Sequence, residues 1–182
     1  MSTFVKMAGV LMIIGAVCSG LLAAVNDITF ERRDNAAKME KLNALKTVLP
    51  EFDNNPSEEM KEVEGLEVYT ARKGGEVAGY AVESFDMGGY EGEIRVMVGV
   101  NPDLTVNRIK IVAHKETPGL GNKAEKPKWN GQLEGKKADE LKVTKDGGTI
   151  DSISGATITS RAVCNAAKKA LQTVEKNISQ LK

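Results

Sequence analysis

The stretch Asp151-Ser-Ile-Ser-Gly-Ala-Thr-Ile-Thr-Ser160 combines small residues, hydroxyl groups and the approach to a helix. The Gly-Ala pair in its middle lets the backbone come close to a ligand, because neither residue has a bulky side chain. Three hydroxyl residues follow within four positions, namely Thr157, Thr159 and Ser160. The rest of the chain has to be interpreted around this stretch.

A final helix is predicted from Arg161 onward, because apolar residues recur there at three- and four-residue steps. The start of a helix exposes unpaired N–H groups and a partial positive charge, which favour a bound phosphate. An ordinary Ser/Thr helix cap would explain the same hydroxyls. The spacing leaves both interpretations open. The recurring apolar residues are Val163, Ala167, Ala170, Leu171, Val174, Ile178 and Leu181.

The composition indicates a near-neutral domain with an apolar N-terminal segment. The 182 residues include 25 basic and 25 acidic side chains. Lys6 is the one charge in the first 25 residues, so the remainder carries 25 − 1 = 24 basic against 25 acidic residues. The length suits one domain plus an anchor, and the charge balance gives no basic footprint for nucleic acid.

Cysteine and histidine are scarce in this chain, with two cysteines and one histidine. Cys18 lies in the apolar segment and Cys164 on the predicted final helix, so we expect no disulfide between them. His114 is the single histidine, and a lone histidine at a strand end is more often structural than catalytic. The sequence therefore predicts no zinc or iron site, and redox chemistry would require a bound cofactor. Because such a cofactor carries out the chemistry itself, we name no catalytic residue.

The N-terminal apolar run, Met7–Val25, contains 19 residues without a charge. At about 1.5 Å per residue it reaches roughly 28 Å, close to the thickness of a bilayer's hydrocarbon core. A cleaved signal peptide is the alternative, but its apolar region is usually about 7–15 residues long. We expect a retained single-span anchor.

The charges beside the span do not establish its orientation. Arg32, Arg33, Lys38 and Lys41 follow it, whereas Lys6 precedes it, so a positive-inside count puts the domain in the cytoplasm. Large domains, however, translocate largely regardless of such charges. The side of the membrane stays open at this point.

Residues 27–49 are expected to form a helix that leaves the membrane, ended by Pro50. One apolar stripe on this helix would face either the domain or a partner helix. The Glu- and Lys-rich stretch from Ser57 to Val63 is interpreted as helix or loop. The stripe consists of Ala36, Met39, Leu42, Leu45 and Leu49.

The middle of the chain predicts an antiparallel sheet. Leu66–Ala71 and Val77–Val82 alternate on either side of a Gly-Gly turn, which is typical of a hairpin. Glu93–Val100 and Thr105–Ala113 form a second antiparallel pair around a turn that starts at Asn101. At least four strands followed by a helix indicate an α+β domain.

Two glycine-bearing loops interrupt this scaffold, at residues 87–92 and 114–121. Either loop alone is explained by a simple turn. The second loop contains Thr117-Pro-Gly-Leu-Gly121, which combines a hydroxyl, a rigid turn and an apolar side chain, as a flat aromatic ligand requires. Trp129 follows shortly; it is either part of such a site or a core aromatic.

Taken together, these pieces resemble the FMN-binding domain family. The resemblance rests on five pieces in the family's order: Gly89-Tyr-Glu-Gly92, Val98-Gly-Val100, His114–Gly121, Trp129 and Ser154–Val163. It covers the anchor and nearly the whole domain from about residue 60. Members with one N-terminal span are similar to this chain, namely the G subunits of Rnf electron-transport complexes and the C subunits of sodium-pumping NADH:quinone reductases.

The resemblance implies FMN joined by a phosphoester to a threonine, installed by a dedicated flavin transferase. The acceptor pattern is Asp, two variable residues, Ser or Thr, Gly, Ala and Thr. Asp151–Thr157 fits this pattern at every fixed position, so Thr157 is the implied attachment site and Thr159 the reserve. The implied set of cofactor-binding residues is Thr157, Ser154, Gly155, Ala156, Thr159, Ser160, Thr117, Gly119, Leu120, Gly121, Tyr90 and Trp129.

The resemblance also implies the protein's role and location. It points to an electron-transfer subunit of a cytoplasmic-membrane complex, an ion-translocating oxidoreductase that couples electron flow from ferredoxin to NAD with sodium or proton export. Whether the subunit is an enzyme by itself stays open at this point. The expected division is an anchor at 1–26, a helical stalk at 27–56 and an extracytoplasmic FMN-binding domain at 57–182. The alternative from the residues themselves is an anchored structural or binding module without a redox cofactor.

Overall fold

The structure is a computed structural model that describes residues 3–181, apart from the side chains of residues 31–37. It divides into two compact units, Met1–Lys41 and Leu42–Lys182. The side chains that the structure does not describe include Arg32 and Arg33, which were counted for the membrane orientation, and Ala36 of the apolar stripe.

The first helix, α1 (Thr3–Val48), is continuous through the predicted span and through the predicted helix 27–49 as far as Val48. Its segment Thr3–Phe30 is long and apolar enough to cross a membrane. The helix ends where Pro50 has no N–H to continue the hydrogen-bond ladder, and its last hydrogen bond runs from the Leu49 N–H to the Leu45 carbonyl at 2.9 Å.

Five antiparallel strands form one sheet in sequence order, which confirms the α+β prediction. Both predicted pairs are present, with the Gly-Gly turn between the second and third strands. The strands are β1 (Met60–Val63), β2 (Leu66–Lys73), β3 (Glu76–Gly89), β4 (Gly92–Val100) and β5 (Val106–Ala113).

The interpretation of Ser57–Val63 as helix or loop is wrong, because β1 lies within it. Met60, Lys61 and Glu62 are exposed, so this edge strand lacks the apolar alternation that marks a strand in sequence. It joins β2 through Glu64 and Gly65, which both have positive φ, at 52° and 73°. Two such residues are typical of a type I′ hairpin turn.

Between β5 and the last helix the chain forms a short helix, α2 (Pro127–Asn130), and 3₁₀ turns at Gly121–Glu125, Gly131–Leu133 and Thr144–Asp146. The last helix, α3 (Thr157–Leu181), begins four residues earlier than its apolar periodicity predicted. Thr157 is therefore its first residue.

The sheet is buried on both faces. On one face α3 packs through Val163, Ala167 and Leu171 against alternate residues of the central strands, such as Val82 and Val98. On the other face the end of α1 packs on the sheet: Leu45, Val48 and Leu49 contact the cluster that contains Ala81 and Met97. The C-terminal part of the predicted stripe, Leu45 and Leu49, thus faces the domain itself, whereas Met39 is exposed.

Candidate functional site

The loop that enters α3 is fixed by hydrogen bonds within the acceptor stretch. The Ser160 hydroxyl accepts from the Ile153 N–H and donates to the Ala156 carbonyl, both at 3.0 Å. Gly155 has φ +80°, in the left-handed region that favours glycine. Its Cβ position would lie 3.2 Å from Leu120 Cδ2, so the loop passes close to the second glycine loop.

Trp129 and Gln132 hold the start of this stretch from the α2 side. The indole Nε1–H donates to the Asp151 carbonyl at 2.6 Å, and the Asp151 N–H donates to Gln132 Oε1 at 2.8 Å. Trp129 is 8% exposed and belongs to the core cluster beneath α3. Of the two interpretations of Trp129, the structure favours the core aromatic.

A cavity of about 600 Å³ opens at the start of α3. It brings together the β3–β4 turn, the loop that follows β5, the Thr144–Asp146 turn and the acceptor stretch, which are far apart in sequence. The residues that line it are Tyr90, Glu116, Thr117, Leu120, Gly121, Lys145, Gly155, Ala156, Thr157, Ile158 and Thr159.

Glu116 is a buried carboxylate on the wall of this cavity, 6% exposed. Its Oε2 accepts from the Thr159 hydroxyl at 2.6 Å, and its Oε1 accepts from the Glu91 N–H at 3.3 Å. A Cβ on Gly121 would lie 2.6 Å from Glu116 Oε2, so glycine is required where the loop folds over this side chain. Glu116 therefore joins α3 to both glycine loops.

Thr157 has different surroundings from Thr159. Its side chain is half-buried in the cavity wall, and its Oγ1 accepts from Lys145 Nζ at 3.0 Å. The Thr159 side chain is buried and its hydroxyl donates to Glu116. Both threonines line the cavity, but only the Thr159 side chain is fully buried with its hydroxyl bonded to a carboxylate.

Most of the predicted site residues meet at this cavity. Eight line it: Tyr90, Thr117, Leu120, Gly121, Gly155, Ala156, Thr157 and Thr159. Ser154 and Gly119 are sequence neighbours of lining residues but do not line the cavity themselves. The Ser160 hydroxyl accepts a hydrogen bond from the loop backbone. Trp129 lies in the core.

Glu116, Lys145 and Ile158 line the cavity but were not among the predicted site residues. Glu116 lay inside a quoted motif, next to the Thr117–Gly121 turn, but nothing in its local sequence marks it as buried. Lys145 lies 12 residues before its partner, and nothing in its local sequence marks it.

His114 contacts a carboxylate and a backbone N–H beside the cavity. Its Nε2 is 2.8 Å from Glu125 Oε1, and its Nδ1 accepts from the Glu116 N–H at 3.0 Å. The imidazole thus fixes the backbone that carries the cavity carboxylate.

Comparison with known proteins identifies the family. The FMN-binding domain model matches residues 89–172, which include Gly89–Gly92, the second glycine loop and the acceptor stretch. The G subunit of the ion-translocating oxidoreductase complex of Vibrio cholerae is 33% identical over 189 residues, covering 94% of this chain and 90% of the relative. The chain belongs to the family of G subunits of ion-translocating oxidoreductase complexes.

Another member of this family has a more specific name. The G subunit of the Na⁺-translocating ferredoxin:NAD⁺ oxidoreductase complex of Acetobacterium woodii is 35% identical over 200 residues, covering 96% of this chain and 93% of the relative.

Two solved structures have similar folds. NqrC of Shewanella oneidensis aligns with TM-score 0.52 and 25% identity over 64% of this chain and 60% of that chain. The C subunit of the Na⁺-translocating NADH-quinone reductase of Parabacteroides distasonis aligns with TM-score 0.56 over 85% and 96% of the two chains, at 21% identity. The second likeness concerns the fold alone.

The residues at the cavity fit FMN chemically. A volume of about 600 Å³ is within the range of small-molecule sites. Tyr90, Leu120 and Ile158 offer apolar surface for a flat ring, and Lys145 offers a cation for a phosphate. The N–H groups of Thr157, Ile158 and Thr159 at the start of α3 have no carbonyl one turn earlier within the helix, so they also favour an anion.

Proposed function

We propose that this chain is the electron-transfer subunit, with covalently bound FMN, of a membrane complex that couples electron flow from reduced ferredoxin to NAD with sodium or proton export. One observation carries the proposal. The acceptor stretch folds so that the Thr157 hydroxyl lines a cavity with apolar and cationic side chains, whereas the Thr159 hydroxyl is buried on Glu116.

Within this proposal the chain binds and orients the cofactor. When bound, FMN supplies one- and two-electron transfer. Tyr90, Leu120 and Ile158 would cover the ring and exclude water, while Lys145 would face the phosphate on Thr157. Glu116 would keep the loops that form the cavity in register, and none of these roles needs a catalytic acid or base.

The proposal includes an anchor, a location and a maturation partner. Thr3–Phe30 has the length and apolar character of a span, and we place the FMN-binding domain on the extracytoplasmic side. A covalent bond keeps the cofactor with the protein there, where a dissociated flavin would be lost. A flavin transferase forms the bond. The division proposed is 1–26 for the anchor, 27–56 for the stalk and 57–182 for the domain.

The relatives favour this complex over the sodium-pumping quinone reductase. The two G subunits are 33% and 35% identical over at least nine-tenths of their length, whereas NqrC is 25% identical over 60% of its chain. A structural module without cofactor is disfavoured by the cavity, because an ordinary helix cap needs only one side-chain oxygen at the helix start.

The test is flavin attachment in matched valine variants of the full chain, co-expressed with a flavin transferase. Valine has nearly the shape of threonine without the hydroxyl. We expect Thr157→Val to abolish the ultraviolet-fluorescent band on a denaturing gel, because the acceptor oxygen is missing. Thr159→Val should keep the band, because its hydroxyl is buried on Glu116.

Circular dichroism melting of both variants separates loss of the acceptor from loss of the fold. If Thr157→Val keeps the fluorescent band and Thr159→Val loses it, the attachment site is Thr159 and not Thr157. A wild-type chain that acquires no flavin in the presence of the transferase would contradict the proposed function.

A further inference from the structure

Lys145 makes a direct contact with the oxygen on which the proposed attachment depends. Its ammonium can only donate hydrogen bonds, so Thr157 Oγ1 is the acceptor in their 3.0 Å contact. A hydroxyl oxygen that accepts from a cation can still donate its own proton elsewhere. This arrangement leaves the Thr157 proton available to a base of another protein.

The backbone around Lys145 is tightly fixed. Val143 and Ile150 are buried and form a parallel bridge, and the Thr144 N–H donates to the Ile150 carbonyl at 2.8 Å. A Cβ on Gly148 would overlap the Lys142 carbonyl, so the loop closes through a glycine. The Lys145 side chain therefore starts from a fixed point on the domain.

An ion pair ties this loop to the first turns of α3. Arg161 donates two hydrogen bonds to Asp146, from Nε at 2.6 Å and from Nη2 at 2.7 Å. These hydrogen bonds hold the pKa of the Asp146 carboxyl below its ordinary value, so the pair stays charged at neutral pH. The residue after Lys145 is thus attached to the helix that carries Thr157.

We propose that Lys145 is the electrostatic partner of the acceptor oxygen during FMN attachment, and that Asp146 and Arg161 are the residues that position it. This inference rests on the proposed function. In the step, a bond forms between Thr157 Oγ1 and the FMN phosphorus of a flavin dinucleotide, and the phosphoanhydride bond breaks. The nucleoside monophosphate leaves, and the hydroxyl proton goes to a base of the transferase. Lys145 offsets the negative charge that gathers around the phosphorus.

The test measures the initial rate of flavin attachment to the purified full chain in detergent, with a flavin transferase and flavin dinucleotide supplied. In Lys145→Met, which keeps length but removes charge, the rate should fall about tenfold or more, as loss of a charge-assisted contact at a reacting oxygen predicts. Lys145→Arg should recover most of the rate. Lys142→Met is the matched control on the same loop and should behave as wild type.

A second measurement tests the positioning residues. Arg161→Gln should also slow attachment, because Lys145 loses its anchor to α3. The double variant Arg161→Gln/Lys145→Met should be no slower than Lys145→Met alone, since the two changes act through one contact. Independent, multiplicative losses would overturn the positioning role.

The outcomes separate this inference from the proposed function. A folded Lys145→Met chain that is labelled at the wild-type rate, while Thr157→Val takes no flavin, overturns the role of Lys145 alone. An equal loss in Lys145→Met and Lys145→Arg overturns it too, because charge would not be what matters. A wild-type chain that takes no flavin overturns both.

Discussion

Thr157 and Thr159 lie two positions apart on the first turn of α3, yet their hydroxyls face opposite chemical surroundings. Thr159 donates to a buried carboxylate, and Thr157 accepts from an exposed lysine at the cavity. An attached phosphate on Thr159 would bring like charge against Glu116 and break a buried hydrogen bond, which is unfavourable. On Thr157 the same phosphate would face an ammonium.

The Glu116–Thr159 hydrogen bond should contribute measurably to stability. Glu116→Gln replaces a charged acceptor by a neutral one and leaves the shape nearly unchanged. We expect the free energy of unfolding to fall by about 1–3 kcal/mol, because the bond is buried and charge-assisted. Thermal unfolding of the full chain in detergent measures the change.

Thr159→Val and the double variant complete the comparison. Because both changes remove the same contact, the double variant should lose clearly less stability than the sum of the single variants. Additive losses would mean that the two side chains do not interact.

At this scale the sequence predicted eight of the residues that line the cavity, Thr157 among them, but not Glu116, Lys145 or Ile158. Thr157 is the predicted attachment site because Asp151–Thr157 matches all five fixed positions of the acceptor pattern. Lys145 and Glu116 reach the cavity by loop closure and burial, and neither leaves a periodic signal. Trp129 lay within the resemblance, but its place in the core depends on the packing of α2, which residue spacing does not specify.

Among the elements, the end of α1 and strand β4 approach unusually closely. A Cβ on Gly99 would overlap the Val48 carbonyl, and the Asn107 side-chain amide donates to that same carbonyl at 2.6 Å. The last turns of α1 are therefore part of the folded domain, and a glycine in β4 makes their docking possible.

Gly99→Ala should be strongly destabilising. The added methyl group must displace the end of α1 or bend β4, and overpacking of this kind costs about 1–3 kcal/mol or more. Gly131→Ala is the matched control, because its backbone is right-handed helical, with φ −61°, and no atom lies within 4 Å of the added Cβ. Equal melting temperatures for the two variants would contradict the close packing of α1 on β4.

The elements with strong local signals were predicted well. The two hairpins of alternating strands and the final helix were predicted from periodicity and glycine turns, and the structure has them. β1 was missed because three of its four residues are exposed and two of those are charged. The start of α3 was placed late, because Thr157–Ser160 lack the apolar repeat and are instead ordered by hydrogen bonds such as Ser160 to Ala156.

For the whole molecule, the arrangement of an apolar helix followed by one α+β domain was predictable from the sequence. The side of the membrane was not, because flanking charges and domain translocation point in different directions. Family membership supplies the proposal that the domain is extracytoplasmic.

The sidedness is testable with a single introduced thiol. Glu76→Cys places it on an exposed residue at the start of β3, in a chain whose Cys18 is replaced by alanine. Cys164 should not be labelled by the maleimide, because burial raises the pKa of its thiol to about 12 and the residue is 1% exposed. We expect a membrane-impermeant maleimide to label the variant in intact spheroplasts. Labelling that requires lysis would place the domain in the cytoplasm.

The central claim concerns one oxygen atom, and the mass of one peptide tests it most directly. Trypsin releases residues 146–161 between Lys145 and Arg161, a peptide that contains both Thr157 and Thr159. From chain matured with a flavin transferase, we predict a mass increase of one FMN less one water, with fragment ions that place it on Thr157. An unmodified peptide, or fragments that carry the flavin on Thr159, would contradict the account.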